Sequence, residues 1–334
     1  MRYTLTESRD PCHYLMQGSI SAGSKLADRA LELAVREGSP SILGRVHLLQ
    51  MMACYYCGDL VGAEKHFGAG LEFFDHPSFR RIPGVAVAAF NYGSANAWLL
   101  GLADIASERM ARMMAAANEN NPYELAFSGN FAARLQIWMR EYERAEASAA
   151  HLLELSEKHQ FVPLAASLRC VLGMASAQLG RTTDGIALIR QGIAESLEAG
   201  EPTYRTDALY LAKAQERDGA ILDALETVEQ ALQANPDELA NRPEIFRLRG
   251  ELRLKQGQTE LAEADFREAI GLAQKMGAKA WELRSTMSLA RLLAEQGRRD
   301  EARAMLAEIY NWFTEGFDTA DLKDAKALLD ELSN

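Results

Sequence analysis

One register runs the length of this chain. Pairing each short turn with the small residue five positions later gives Gly18/Gly23, Gly58/Ala63, Gly101/Ala106, Arg140/Ala145, Gly180/Gly185, Gly219/Ala224, Gly257/Ala262 and Gly297/Ala302. The second members follow one another at intervals of 40, 43, 39, 40, 39, 38 and 40 residues. Twelve positions before the last seven of them stand Met51, Ser94, Ala133, Gly173, Ala212, Gly250 and Ala290, six of which are small. A period of this length means stacked supersecondary units, each too small to bury its apolar face alone. The spacing predicts helical hairpins. A glycine at the turn ends the first helix in a left-handed backbone, and small residues at two fixed points let the paired helices approach closely. Behind the second small residue come apolar residues at +4 and small ones at +7, as in Ala63/Phe67/Gly70, Ala224/Val228/Ala231 and Ala262/Phe266/Ala269. These positions share one helical face, which is expected to pack on the next unit.

The same register decides how to read "GSISAGSK" at residues 18–25, which has the glycine spacing of a phosphate-binding loop. Such a loop ends in lysine followed by a hydroxyl residue, whereas Ser24 precedes Lys25 here, with no strand pattern before it and no Asp-ending apolar strand after it. Gly18 and Gly23 are instead the turn and packing positions of the first unit. Composition agrees with helix throughout: 334 residues hold nine prolines, and 48% are apolar. A net charge of −11 argues against nucleic acid as a partner. No run approaches the ~20 apolar residues that span a bilayer, and "MRYTLTESRDPCHYL" lacks the basic head and apolar stretch of a signal peptide. Four cysteines make no disulfide framework, so a reducing cytoplasm is expected.

The paired small residues, the aromatic at +4 and the closing Pro236 resemble the tetratricopeptide repeat. The resemblance covers essentially the whole chain, in about eight units. The period is longer than the usual 34 residues, and the tryptophan near the start of the first helix is missing, which implies longer helices or inter-unit loops. The fold expected is all-α: a right-handed superhelix, or α-solenoid, of about eight hairpins with a C-terminal capping helix. As a single repeat domain it divides into an abbreviated first unit (1–38), seven complete hairpins (39–317) and the cap (318–334). Pro11 interrupts the first unit's leading helix, expected near 4–17, and Asp10 with Pro11 would start a shorter one. At the other end, Asp318 or Thr319 would cap a final helix whose face carries Asp321, Lys323, Asp324, Lys326 and Asp330. From residue 243 onward, "PEIFRLRGELRLKQG", the block Trp281–Arg291 and "YNWFTEGFDTADLKDAKALL" are similar to the C-terminal repeat region of bacterial signalling proteins that join a class III adenylate cyclase or winged-helix module to a STAND-type ATPase. Neither module is in this sequence, so the resemblance implies a sensing or docking part and transfers no catalytic activity.

No motif supports catalysis, a metal or a cofactor. "CYYC" (Cys54–Cys57) has redox or half-zinc-site spacing, with His47 two helical turns before it, but no second cysteine pair exists and structural thiols are the better reading. The six histidines form no H-E-x-x-H, and no serine stands in a G-x-S-x-G elbow. Trp281 and the Trp312/Phe313/Phe317 group are expected at the seam between the last hairpin and the cap.

In tetratricopeptide arrays the inner wall is lined by the first helix of each hairpin. Projected onto this register, the inward set includes Arg45 and Tyr55, Asn91 and Trp98, Phe127, Asn130 and Arg134, and Lys213. Over all complete units it carries six basic and three acidic residues. Repeat-equivalent Asn91 and Asn130 can hold a peptide backbone, and an arginine fork binds a carboxylate. The expectation is therefore a non-catalytic protein-interaction or sensing module of a bacterial signalling system. Its groove would take a protein or peptide partner bearing acidic groups. The alternatives are a small-effector receptor, which a deep closed pocket near Trp98 and Phe127 would favour, and a stand-alone scaffold.

Overall fold

The computed structural model describes residues 15, 20–81, 84–118, 120–200, 205–234 and 236–333, and all regular structure among them is helical. After α1 (Ile20–Glu37) the helices pair as α2 (Pro40–Tyr56) with α3 (Leu60–Phe74), then, past a single turn α4 (Pro77–Arg80), α5 (Val85–Leu99) with α6 (Ala103–Ala116). The sequence continues with α7 (Pro122–Trp138) and α8 (Tyr142–Lys158), α9 (Val162–Gln178) and α10 (Thr182–Glu198), and α11 (Arg205–Arg217) and α12 (Ile221–Ala234). It ends with α13 (Arg242–Lys255) and α14 (Thr259–Met276), α15 (Lys279–Glu295) and α16 (Arg299–Tyr310), and the last helix α17 (Ala320–Ser333). The expected leading helix at 4–17, with Asp10, Pro11 and Gly18, lies outside the described residues.

The turns and close approaches follow from the register. Glycines 58, 101, 180, 219, 257 and 297 all have φ between 75° and 97°. Arg140, which holds the same place in its unit, has φ 65° despite its side chain. The small residues are buried where paired helices touch: Ala63, Ala106, Ala145, Ala224, Ala262 and Ala302 are fully inaccessible. Between α9 and α10 a Cβ on Gly173 would stand 2.5 Å from the carbonyl oxygen of Gly185, so the two backbones are in contact. Gly23 packs on Leu15, as a packing position and not a phosphate cradle.

First helices of successive hairpins touch one another, α2 on α5, α5 on α7, and so on to α15 on α17, and form an inner layer. Burial shows the division of labour: α5 buries eleven of its fifteen residues, whereas only Ala106 and Met113 of α6 are buried.

The superhelix also closes on itself, which the repeat alone does not dictate. α5 contacts α15 directly, and the rings of Trp98 and Trp281 meet edge to face at 4.8 Å. Trp281 Nε1 donates to the Ala240 carbonyl at 2.9 Å. The Leu239 N–H donates to Tyr56 O at 2.7 Å, which joins the end of α2 to the start of α13. Glu315 accepts from the N–H groups of Asp104 and Ile105 at 3.0 and 3.2 Å, capping the free amides at the start of α6. Arg140 reaches Asp324 at 2.6 Å and Asp321 at 3.3 Å on α17. The placement of Trp281 and Trp312 is thus corrected. Trp281 belongs to the closure, because its ring packs on Trp98 of α5 and Trp138 of α7. Trp312 is 44% exposed and lies against the Gly101 turn; Phe317 is 49% exposed, and only Phe313 is buried towards the cap.

Candidate functional site

The inner layer and the closure together line a partly open cavity of about 540 Å³. Its wall is built from the inward stripe of consecutive first helices, so Tyr55, Asn91, Phe127, Asn130 and Arg134 all line it. Aromatic contacts stiffen one side: Tyr123 stacks on Phe127 at 5.6 Å, Phe131 meets Phe127 edge to face at 4.7 Å, and Phe161 meets Tyr123 at 5.4 Å. On another side the hydroxyls of Tyr56 and Tyr92 lie 2.7 Å apart.

The polar part is a connected chain. Arg134 Nη2 donates to Asp207 Oδ1 at 2.8 Å and to Ser167 Oγ at 2.9 Å, and Ser167 Oγ in turn donates to Asn130 Oδ1 at 2.9 Å. Burial opposes the charge on Arg134, but Asp207 at 4% side-chain exposure outweighs it and holds the guanidinium protonated. This corrects the role expected for Arg134: its Nη2 is engaged by an internal carboxylate and its charge is already paired. The charged residues lining the cavity are Arg134, Asp207 and Glu238, one cation and two anions, so this cavity lends the expectation of an acidic partner no support.

What remains open is amide chemistry. With Asn130 Oδ1 taken by Ser167, the Asn130 Nδ2 group has no partner among the described residues, nor has the Asn91 side chain. Asn241 donates to Thr206 Oγ1 at 3.1 Å, but its own Oδ1 is a buried acceptor without a donor. The cavity therefore offers amide donors between aromatic walls, with an unsatisfied amide acceptor buried at its edge.

The other inward residues go elsewhere. Trp98 is 4% exposed and sits among Trp138, Trp281 and the Arg284 guanidinium, so it is part of the closure and not of the cavity wall. Arg45 is exposed on α2, outside the cavity. Lys213 lines a second chamber of about 300 Å³, where its ammonium donates to Glu244 at 2.6 Å. His47, imagined as a ligand beside Cys54, faces His66 with the two Nδ1 atoms 3.2 Å apart. Burial, with Asp59 and Cys57 adding to it, pushes the Cys54 thiol up to about 12, a protonated and unreactive state. Asp207, Tyr123 and Asn241 were outside the inward set. Carrying the stripe one helical turn before Phe127 reaches Tyr123; Asp207 and Asn241 come from helix starts that the repeat pattern leaves unspecified.

The architecture is that of a tetratricopeptide-like superhelix. Residues 130–328, more than half of the chain, match the family described as the MalT-like TPR region, and the chain belongs to that family. Among solved structures, the Rap protein complexed with Competence and Sporulation Factor aligns with a TM-score of 0.58 at 8% identity, over 97% of this chain and 95% of that one. The Cut9–Hcn1 hetero-tetramer of the APC/C aligns with a TM-score of 0.57 at 11% identity, over 97% of this chain and 54% of that one. At such identities the likeness is one of fold. No curated protein sequence matches the chain. No described helix is long and apolar enough to cross a membrane.

Proposed function

We propose that this chain is the ligand-sensing part of a bacterial signalling system and that its central cavity takes a short apolar segment of a peptide or partner protein. The observation that carries this reading is the set of unengaged amide groups between aromatic walls. Asn91 and Asn130 can donate to backbone carbonyls, Asn241 Oδ1 can accept a backbone N–H, and the Tyr123–Phe127–Phe131 wall can receive a bulky side chain. The internal pairing of Arg134 with Asp207 favours a ligand without an acidic anchor. Two further facts lend support. The Rap neighbour of similar fold was solved with a bound factor, and the family match spans the tail that resembles STAND-type regulators.

Selection of random displayed peptides on the wild-type chain and on Ala95→Trp, which places an indole in the cavity, tests the proposal. The expected result is enrichment of peptides rich in Phe, Tyr, Leu or Met by the wild type alone. Absence of enrichment, or equal enrichment by both chains, would count against it. A second reading, a small-effector receptor, is favoured by size, since ~300–1,000 Å³ is the range of small-molecule pockets. Under that reading a small apolar compound, and no peptide, would raise the melting temperature of the wild type and leave Ala95→Trp unchanged.

A further inference from the structure

The second chamber lies across the Trp138 indole from the central cavity, since that ring lines both. Four carboxylates border it, and each is already engaged. Glu244, with no side-chain exposure, is held by Lys213 and Arg247 at 2.6 Å each. Asp321 accepts from Arg284 and Arg140, Asp324 from Arg140, and Glu216 pairs with Lys255 at 2.8 Å. The donors are not used up. The Tyr210 hydroxyl, on a side chain 2% exposed, has no partner, and neither has the buried Trp138 Nε1. Arg291 borders the chamber as a fifth cation and has no ion-pair partner among the described residues. Burial, with Arg247 and Arg284 adding to it, lowers the Lys213 pKa in spite of Glu244.

Indole and guanidinium groups only donate, so a guest that pairs them must be an acceptor. A cation would be repelled, and a neutral apolar group would leave the buried donors unpaired. From this geometry we propose that the chamber binds a small oxyanion group, a carboxylate or a phosphate, accepting from Tyr210 Oη–H, Trp138 Nε1–H and Arg291. This is a site separate from the central cavity and does not depend on what that cavity binds.

The test is titration of the full chain with inorganic phosphate and, separately, acetate, at constant ionic strength set with chloride. The signal read is the Trp138 indole N–H resonance, assigned by its loss in Trp138→Phe. The expected result is a saturable shift with one of the two anions, which also identifies the source chemistry. Binding should weaken at least tenfold in Arg291→Gln and severalfold in Tyr210→Phe. Arg291 is exposed, so Arg291→Gln is expected to fold even if Tyr210→Phe does not. No saturable shift with either anion, a drift that chloride alone reproduces, or wild-type affinity in Arg291→Gln would overturn the proposal.

Discussion

Residue by residue, the inward stripe was legible as geometry but not as chemistry. The register places Arg134 on the inner wall. What it does there is decided by Asp207, 73 residues away near the start of α11. Local spacing carries no information about such a partner, because it is chosen by how two non-adjacent helices pack. The same holds for Arg140, which keeps the left-handed turn conformation that glycine serves elsewhere and uses its side chain to reach α17. In a nearly buried pair, removing one charge leaves the other uncompensated. Asp207→Asn is therefore expected to lower the unfolding free energy by about 3 kcal/mol in urea denaturation. A loss below ~1 kcal/mol, the level of an exposed surface pair, would show that the pair is not structural.

Between elements, the small residues that set the period are those at which helix pairs touch, so the hairpins could be read directly from the sequence. Electrostatic joints between helices could not. His47 on α2 and His66 on α3 face each other, partly buried, with the His47 ring stacked on Phe73 at 6.0 Å. Burial lowers the pKa of both, the neighbouring His66 lowers that of His47 further, and Asp59 and Asp28 only partly oppose the effect at His66. Folded-state values below 6.5 mean that the unfolded chain takes up protons first as pH falls. The stability these residues contribute is then complete above pH 6.5 and declines as pH falls from there through the folded-state values. The urea midpoint of the wild type should fall between pH 7 and about 5.5, and more steeply than that of His66→Gln. Parallel curves for the two chains would show that the histidine joint does not titrate as described.

At the scale of the whole molecule, the periodic sequence specifies a stack of hairpins but says nothing about how tightly the stack curls. Curl is set by small rotations between units and is revealed only by contacts between distant turns. Here those contacts close the array, with the Gly58 turn against Leu239 and Met276 and the Gly101 turn against Lys279 and Phe313. Closure converts an open groove into a partly enclosed cavity, and it moves Trp98 from the binding wall into the seam. The most direct test is amide hydrogen exchange of the wild-type chain with and without a selected apolar peptide. Slowed exchange is expected in α2, α5, α7, α9 and residues 238–241, segments far apart in sequence that all border the cavity. Protection confined to the outer helices α8, α12, α14 and α16, none of which lines the cavity, would contradict the account.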